Sequence, residues 1–171
     1  GYAMDFIIKS NDSNLKDVFT AFPPKYISWL NKTEIKGKTD FILTLKGNYI
    51  ESKKIAPDLS LDLKIRDGFI DYEKSGFPIS NLNLEMKTSL PSLNPELLIV
   101  DTKSISLNIN QDYLKAKLFV KGMNVPEIDA TFQSNIDLEK LNKALGVTNF
   151  EVKGKLAGEG NLKGKYDPKN K

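Results

Sequence analysis

KGKTDFILTLKGNY, residues 36–49, decides the fold. Its odd positions carry Gly37, Thr39, Phe41, Leu43, Leu45, Gly47 and Tyr49, and its even positions include Lys36, Lys38, Asp40 and Lys46. A period of two puts the apolar side chains on one face and the charges on the other, which predicts a half-buried β-strand extending back through Ile35 to Thr33. The phrase returns as KGKLAGEGNLKGKY at residues 153–166. Both copies open on Lys-Gly-Lys and close on Leu-Lys-Gly-x-Tyr. The copies lie 117 positions apart, too far for the arms of one hairpin.

Working outward, the same alternation recurs along most of the chain. LSLDLKIRDGFIDY places Leu59, Leu61, Leu63 and Ile65 on one face, and Asp67-Gly68 has the chemistry of a two-residue hairpin turn. That turn sets Ile65 against Ile70 and keeps the apolar face continuous. Further alternating runs are Leu82, Leu84, Met86; Ile105, Leu107, Ile109; and, across an expected Gln111-Asp112 turn, Leu114, Ala116, Leu118, Val120. They continue with Ile128, Ala130, Phe132, Ser134, Ile136, and then Phe150, Val152, Leu156, Leu162. About seven antiparallel strands follow, because strands of a parallel sheet buried on both faces read as unbroken apolar runs.

Two segments have helical spacing instead. Leu15, Val18, Phe19 and Phe22 follow a Ser13 cap and stop at Pro23-Pro24, predicting a helix near 13–22. Leu138, Leu141, Ala144 and Leu145 follow Asp137 and stop at Gly146, predicting a second near 137–145. Each helix follows a strand of similar look, DFIIKSN or DATFQSN, and precedes a copy of the opening phrase. The chain therefore reads as a single repeat region over 1–171, one strand-helix-strand period at 33–150 and the start of the next at 151–171. The fold class expected is mainly β: a curved antiparallel sheet, half-barrel or groove-like, with two short α-helices, part of a longer repeat array. In such an array the first and last strands present open edges, which Lys36, Lys38, Lys153, Lys155, Lys163 and Lys165 would blunt.

Composition narrows the chemistry. The 171 residues are 40% hydrophobic and 27% charged, with a net charge of +3. The longest strongly apolar run, Leu97–Val100, is far short of the ~20 residues that span a bilayer. The start at Gly1 without an apolar leader, and the lysine-rich end, read as boundaries of a piece of a longer protein. Cysteine and histidine are absent, which removes disulfides, thiol nucleophiles, histidine bases and nearly every transition-metal site. Arg66 is the only arginine, and the lysines alternate with apolar residues, so no nucleic-acid partner is expected. The carboxylate pairs Asp58/Asp62 and Asp67/Asp71 have lysine neighbours and read as a solvated sheet face rather than an acid–base pair. Neither catalytic residues, metal ligands nor a cofactor site is assigned, and the chain is read as non-enzymatic.

LTLKGNY, PDLSLDLKIRDGFIDYEKSGFPISNLNLEMK, LLIVDTKSISLNINQDYLKAKLFVKG and VPEIDATFQSNIDLEKL together resemble the AsmA-like proteins of Gram-negative envelopes. YEKSGFP departs from the Tyr-Pro-x-Leu-Pro-like continuation of that family. The resemblance implies the periplasmic portion of an inner-membrane-anchored protein of the AsmA and TamB type, similar in build to bridge-like lipid-transfer proteins. It also implies a role in phospholipid transport and outer-membrane biogenesis. The expected partners are phospholipid acyl chains, the membrane through the parent protein's anchor, and envelope proteins.

The residues expected to line an apolar groove are Leu61, Leu63, Ile70, Leu84, Leu107, Leu118 and Phe132. The alternative is a closed-core β module, structural or binding a protein or glycan, with Tyr113 and Phe119 as an exposed patch on the opposite face and Trp29 beside the first helix.

Overall fold

The computed structural model describes residues 1–20, 32–146 and 152–167. Eight antiparallel strands form one unclosed, curved sheet in strict chain order. The strands are β1 (Tyr2–Asn14), β2 (Thr33–Tyr49), β3 (Asp58–Tyr72), β4 (Ile79–Leu90), β5 (Ile99–Ile109), β6 (Asp112–Lys121), β7 (Glu127–Asp137) and β8 (Lys155–Lys165). Helix α1 (Leu15–Thr20) follows β1, and α2 (Leu138–Ala144) follows β7. Phe22, Pro23-Pro24, Trp29 and Phe150, which the sequence reading invoked, lie outside the described residues.

Pairing register places the alternating apolar residues on one face across all eight strands. Phe6 faces Leu45, Phe41 faces Leu63, Leu63 faces Met86, Leu118 faces Ala130 and Ala130 faces Leu162. The second helix forms where expected: Asp137 caps it, its Oδ1 accepting from Glu139 N at 2.9 Å and Lys140 N at 3.3 Å, and Gly146 at φ +65° ends it. Asp137→Ala removes the acceptor for both N–H groups and is expected to lower stability by about 1 kcal/mol, read from the urea midpoint. The first helix begins later than the Ser13 cap implied. Ser13 is still in β1, opposite Thr39 and hydrogen-bonded to Ser10, and Asn14 precedes the helix with its amide on Asp17 at 3.2 Å.

Two expected turns are corrected. Asp67-Gly68 is not a hairpin: β3 runs unbroken from Asp58 to Tyr72 between β2 and β4. The pair instead marks a β-bulge, with Asp67 at φ +50°, where β3 carries one residue more than either neighbour. A bulge and a two-residue hairpin both carry the apolar face from Ile65 to Ile70, so alternation alone does not separate them. Strand length does: the seventeen residues of β2 need a partner longer than the four-residue arm Phe69–Tyr72. The other hairpin is real but sits one residue earlier, at Asn110-Gln111, with Ile109 opposite Asp112 and Asn110 at φ +53°.

The bulge belongs to a row. Register shifts occur at Asp12 in β1, opposite Gly37 in β2, at Asp67 in β3 and at Asn81 in β4. On the polar face a ladder of hydrogen bonds runs along this row. Asp12 N donates to Asp40 Oδ1 at 2.7 Å, and Arg66 grips the Asp40 carboxylate through both terminal nitrogens. Asp67 N then donates to Asn83 Oδ1 at 3.1 Å, and Asn81 Nδ2 to Asn108 Oδ1 at 3.2 Å. Opposite the ladder, on the apolar face, lies the core: Leu15, Ile35, Ile65, Ile79, Leu82, Leu107, Ile109, Ile136 and Ala144. Bulges increase local twist and bend, and the two helices bring Leu15 and Ala144 down onto this bent end.

Candidate functional site

The apolar face is divided. At the helix end it is a closed core in which Ile109 and Ile136 are fully buried. Toward the other end it continues as Leu43, Leu45, Leu61, Met86, Leu118, Ala130 and Phe132, all half-buried, with no second layer over them among the described residues. At the open edges the same face is bare: Phe6 is 53% exposed and Leu162 57%. Of the buried polar side chains on the face, which include Thr33 and Thr102, Thr39 and Ser134 are the deepest and are satisfied internally. Thr39 Oγ1 donates to Lys64 O at 2.9 Å and Ser134 Oγ to Leu156 O at 3.0 Å, so neither hydroxyl disturbs an apolar surface.

All seven sequence-predicted groove residues lie on this face, in two environments. Leu61, Leu118 and Phe132 belong to the uncovered stretch. Leu63, Ile70 and Leu84 pack against the margin of the core, and Leu107, 6% exposed, is inside it. The sequence reading missed Phe6 and Ile8, whose alternation in YAMDFIIKS carries the signal, because β1 was noted only as a strand preceding a helix. Phe132 is placed by close contact: its ring lies over Gly160 of β8, where an added Cβ would come within 2.9 Å of the ring.

The opposite face carries the charges. Asp62 pairs with Lys87 at 2.8 Å, Asp129 with Lys163 at 2.9 Å, and Asp58 accepts from Ser92 N at 2.7 Å. Thus Asp58 and Asp62 have separate partners rather than facing each other across a cleft. A shallow depression of about 720 Å³ runs over β5 to β8, bordered by Ser104, Lys115, Lys117, Thr131, Gln133 and Glu159. Hydroxyl, amide and oppositely charged groups border it, and Ile105, Ala116, Phe132 and Gly160 also contribute to its lining. Phe119, 38% exposed, stands on this face, and Tyr113 borders a neighbouring depression.

The strongest electrostatic perturbation on this face is structural. The Arg66 hydrogen bond, reinforced by the Asp12 N–H, lowers the Asp40 pKa from its ordinary 3.8 to about 2. A depressed folded-state pKa contributes stability that is complete above the unfolded value and is lost as pH falls through the folded one. The ladder around Asp12 is therefore expected to loosen between about pH 4 and pH 2. A carboxylate NMR titration of Asp40 should show a midpoint near 2 that returns toward 3.8 in Arg66→Met.

Among the described residues, these features define a class of protein: an open antiparallel meander with one polar and one apolar face, the apolar face covered by the two helices at one end. Comparison with protein families, characterised proteins and solved structures finds no match for the chain. No helix among the described residues is long and apolar enough to cross a membrane.

Proposed function

We propose that the chain handles phospholipid without chemistry, laying acyl chains along the uncovered part of its apolar face. It would do so as the periplasmic portion of an inner-membrane-anchored protein serving outer-membrane biogenesis. The observation that carries the reading is the apolar stretch from Leu43 to Phe132 with no layer over it among the described residues. The sequence resemblance to AsmA-like proteins supports the envelope setting. Seven strand spacings of ~4.8 Å give a strip about 34 Å across, against ~30 Å for the hydrocarbon core of a whole bilayer, so single acyl chains fit within it.

The energetics favour such a surface. Exposing a 16-carbon chain to water costs ~0.8 kcal/mol per CH₂, or roughly 13 kcal/mol, and an apolar floor offsets a large part of that. Thr39 and Ser134 spend their hydroxyls on main-chain carbonyls, and Thr102, between Met86 and Leu118, is the buried polar residue of the uncovered stretch. Movement along it needs only a gradient and a continuous path.

Phospholipid bearing a photoreactive group on its acyl chain is the direct test. After irradiation, cross-links are expected in the peptides that contain Leu43, Leu61, Met86 and Leu118, located by mass spectrometry. Labelling confined to the polar face around Phe119, or none on the folded protein, would overturn the proposal. Either outcome would favour a β module that binds a protein or glycan partner.

A further inference from the structure

The two open edges of the sheet are not equivalent surfaces. The unit β1-α1-β2 and the unit β7-α2-β8 pair alike, apart from the one-residue bulge at Asp12 that β7 lacks. Asn14 opposite Lys38 corresponds to Asp137 opposite Lys155, and Met4 opposite Gly47 corresponds to Ile128 opposite Gly164. Thus β8 is the second copy of β2. Strand β2, however, has a neighbour on each side, and β8 has only β7.

The glycines show what the free side of β8 is shaped to receive. Gly37 of β2 sits at φ +117° where β3 passes it closely: a Cβ there would stand 2.7 Å from the Cα of Gly68. Its counterpart Gly154 has nearly the same φ, +111°, yet among the described residues nothing lies within 4 Å of where its Cβ would be. A Cβ at Gly47 would likewise stand 3.1 Å from Pro57, just before β3, and at its counterpart Gly164 no described residue lies within 4 Å. Apolar side chains repeat the contrast: Leu45 is half-buried beside Leu59 of β3, and its counterpart Leu162 is 57% exposed.

We propose that the free edge of β8 is a docking edge for one further strand of β3 type, antiparallel, apolar at alternate positions, and carrying a glycine at the level of Gly154. The β2–β3 register transfers directly. Lys155 stands opposite the incoming residue equivalent to Arg66, Leu156 opposite that of Ile65, Asn161 opposite that of Ser60, and Leu162 opposite that of Leu59. Main-chain hydrogen bonds supply the affinity, and the glycine gap with the apolar alternation supplies the register. The sheet and its apolar face would then extend past β8. The inference stands on the edge geometry and is independent of the lipid reading.

The test uses the full chain and a synthetic peptide of residues 57–73. Bound peptide should slow hydrogen exchange of the outward-facing β8 amides by about tenfold and leave β1 unchanged. The absence of native cysteine allows the register to be read directly. Asn161→Cys in the chain should form a disulfide with a Ser60→Cys peptide, and not with a Leu61→Cys peptide whose thiol points to the other face. Gly154→Ala, with β7–β8 amide exchange confirming the fold, should weaken capture, since its methyl group meets the incoming glycine. No protection of β8, equal protection of β1, or equal disulfide formation by the two peptides would overturn the proposal.

Discussion

Ile109→Asp is expected to abolish cooperative unfolding, whereas Leu118→Asp leaves a folded protein. Both are apolar residues of alternating strands on the same face, but Ile109 is fully buried beneath the helix end and Leu118 is half-buried on the uncovered stretch. A carboxylate at 109 has no partner and no water, a cost of several kcal/mol against a total stability of about 5–15 kcal/mol. At 118 the carboxylate keeps most of its hydration, and the loss is about 1–2 kcal/mol from forfeited apolar contact and strand propensity. Urea unfolding followed by circular dichroism measures both. Equal loss at the two positions would mean that the face is one closed core. The Leu118→Asp protein, if folded, is also the reagent for function: it should take up far less acyl-labelled phospholipid than the parent chain.

Gly37→Val carries the second large effect. The residue sits at φ +117°, and a Cβ added there would stand 2.7 Å from the Cα of Gly68 and 3.0 Å from the carbonyl oxygens of Arg66 and Asp67, all of them backbone atoms. A β-branched side chain must distort its own conformation and push β3 from β2, for an expected loss of about 3 kcal/mol or more. Gly154→Val meets the same dihedral strain with no neighbour to displace. The difference between the two melting temperatures therefore isolates the cost of displacing β3, and equal destabilisation would show that backbone conformation alone accounts for both.

Cross-strand contact also explains why the lysines at the repeated phrase behave differently from expectation. Lys36 and Lys38 lie in β2, an interior strand, where they engage Glu34 at 2.6 Å and Asp12 at 3.6 Å rather than blunting an edge. Lys155, Lys163 and Lys165 do lie in an edge strand. There Lys163 pairs with Asp129 of β7 at 2.9 Å, a polar-face contact like those of Lys36 and Lys38.

Alternation determined most of what the sequence determined. A side-chain period of two settles which residues share a face, and the runs through β2, β4, β6 and β7 needed no tertiary information to be placed together. The second helix was equally legible, because a capping aspartate, a spacing of three and four, and a terminal glycine are local signals. The echo of one phrase of fourteen residues was readable directly, and its two copies lie in β2 and β8, each paired antiparallel to the strand before it in the sheet. What the sequence left undecided was every feature that depends on the identity of a neighbour. Asp67-Gly68 preserves facial continuity as a hairpin or as a bulge, and only the length of β2 and the close passage of Gly37 select the bulge. Leu107 and Leu118 have the same alternation, yet one lies in a core and the other beside it, because the row of bulges and the two helices gather burial at one end of the sheet. Periodicity fixes direction from the backbone; cover is supplied by segments distant in the chain, and it is cover that separates a core from an open face.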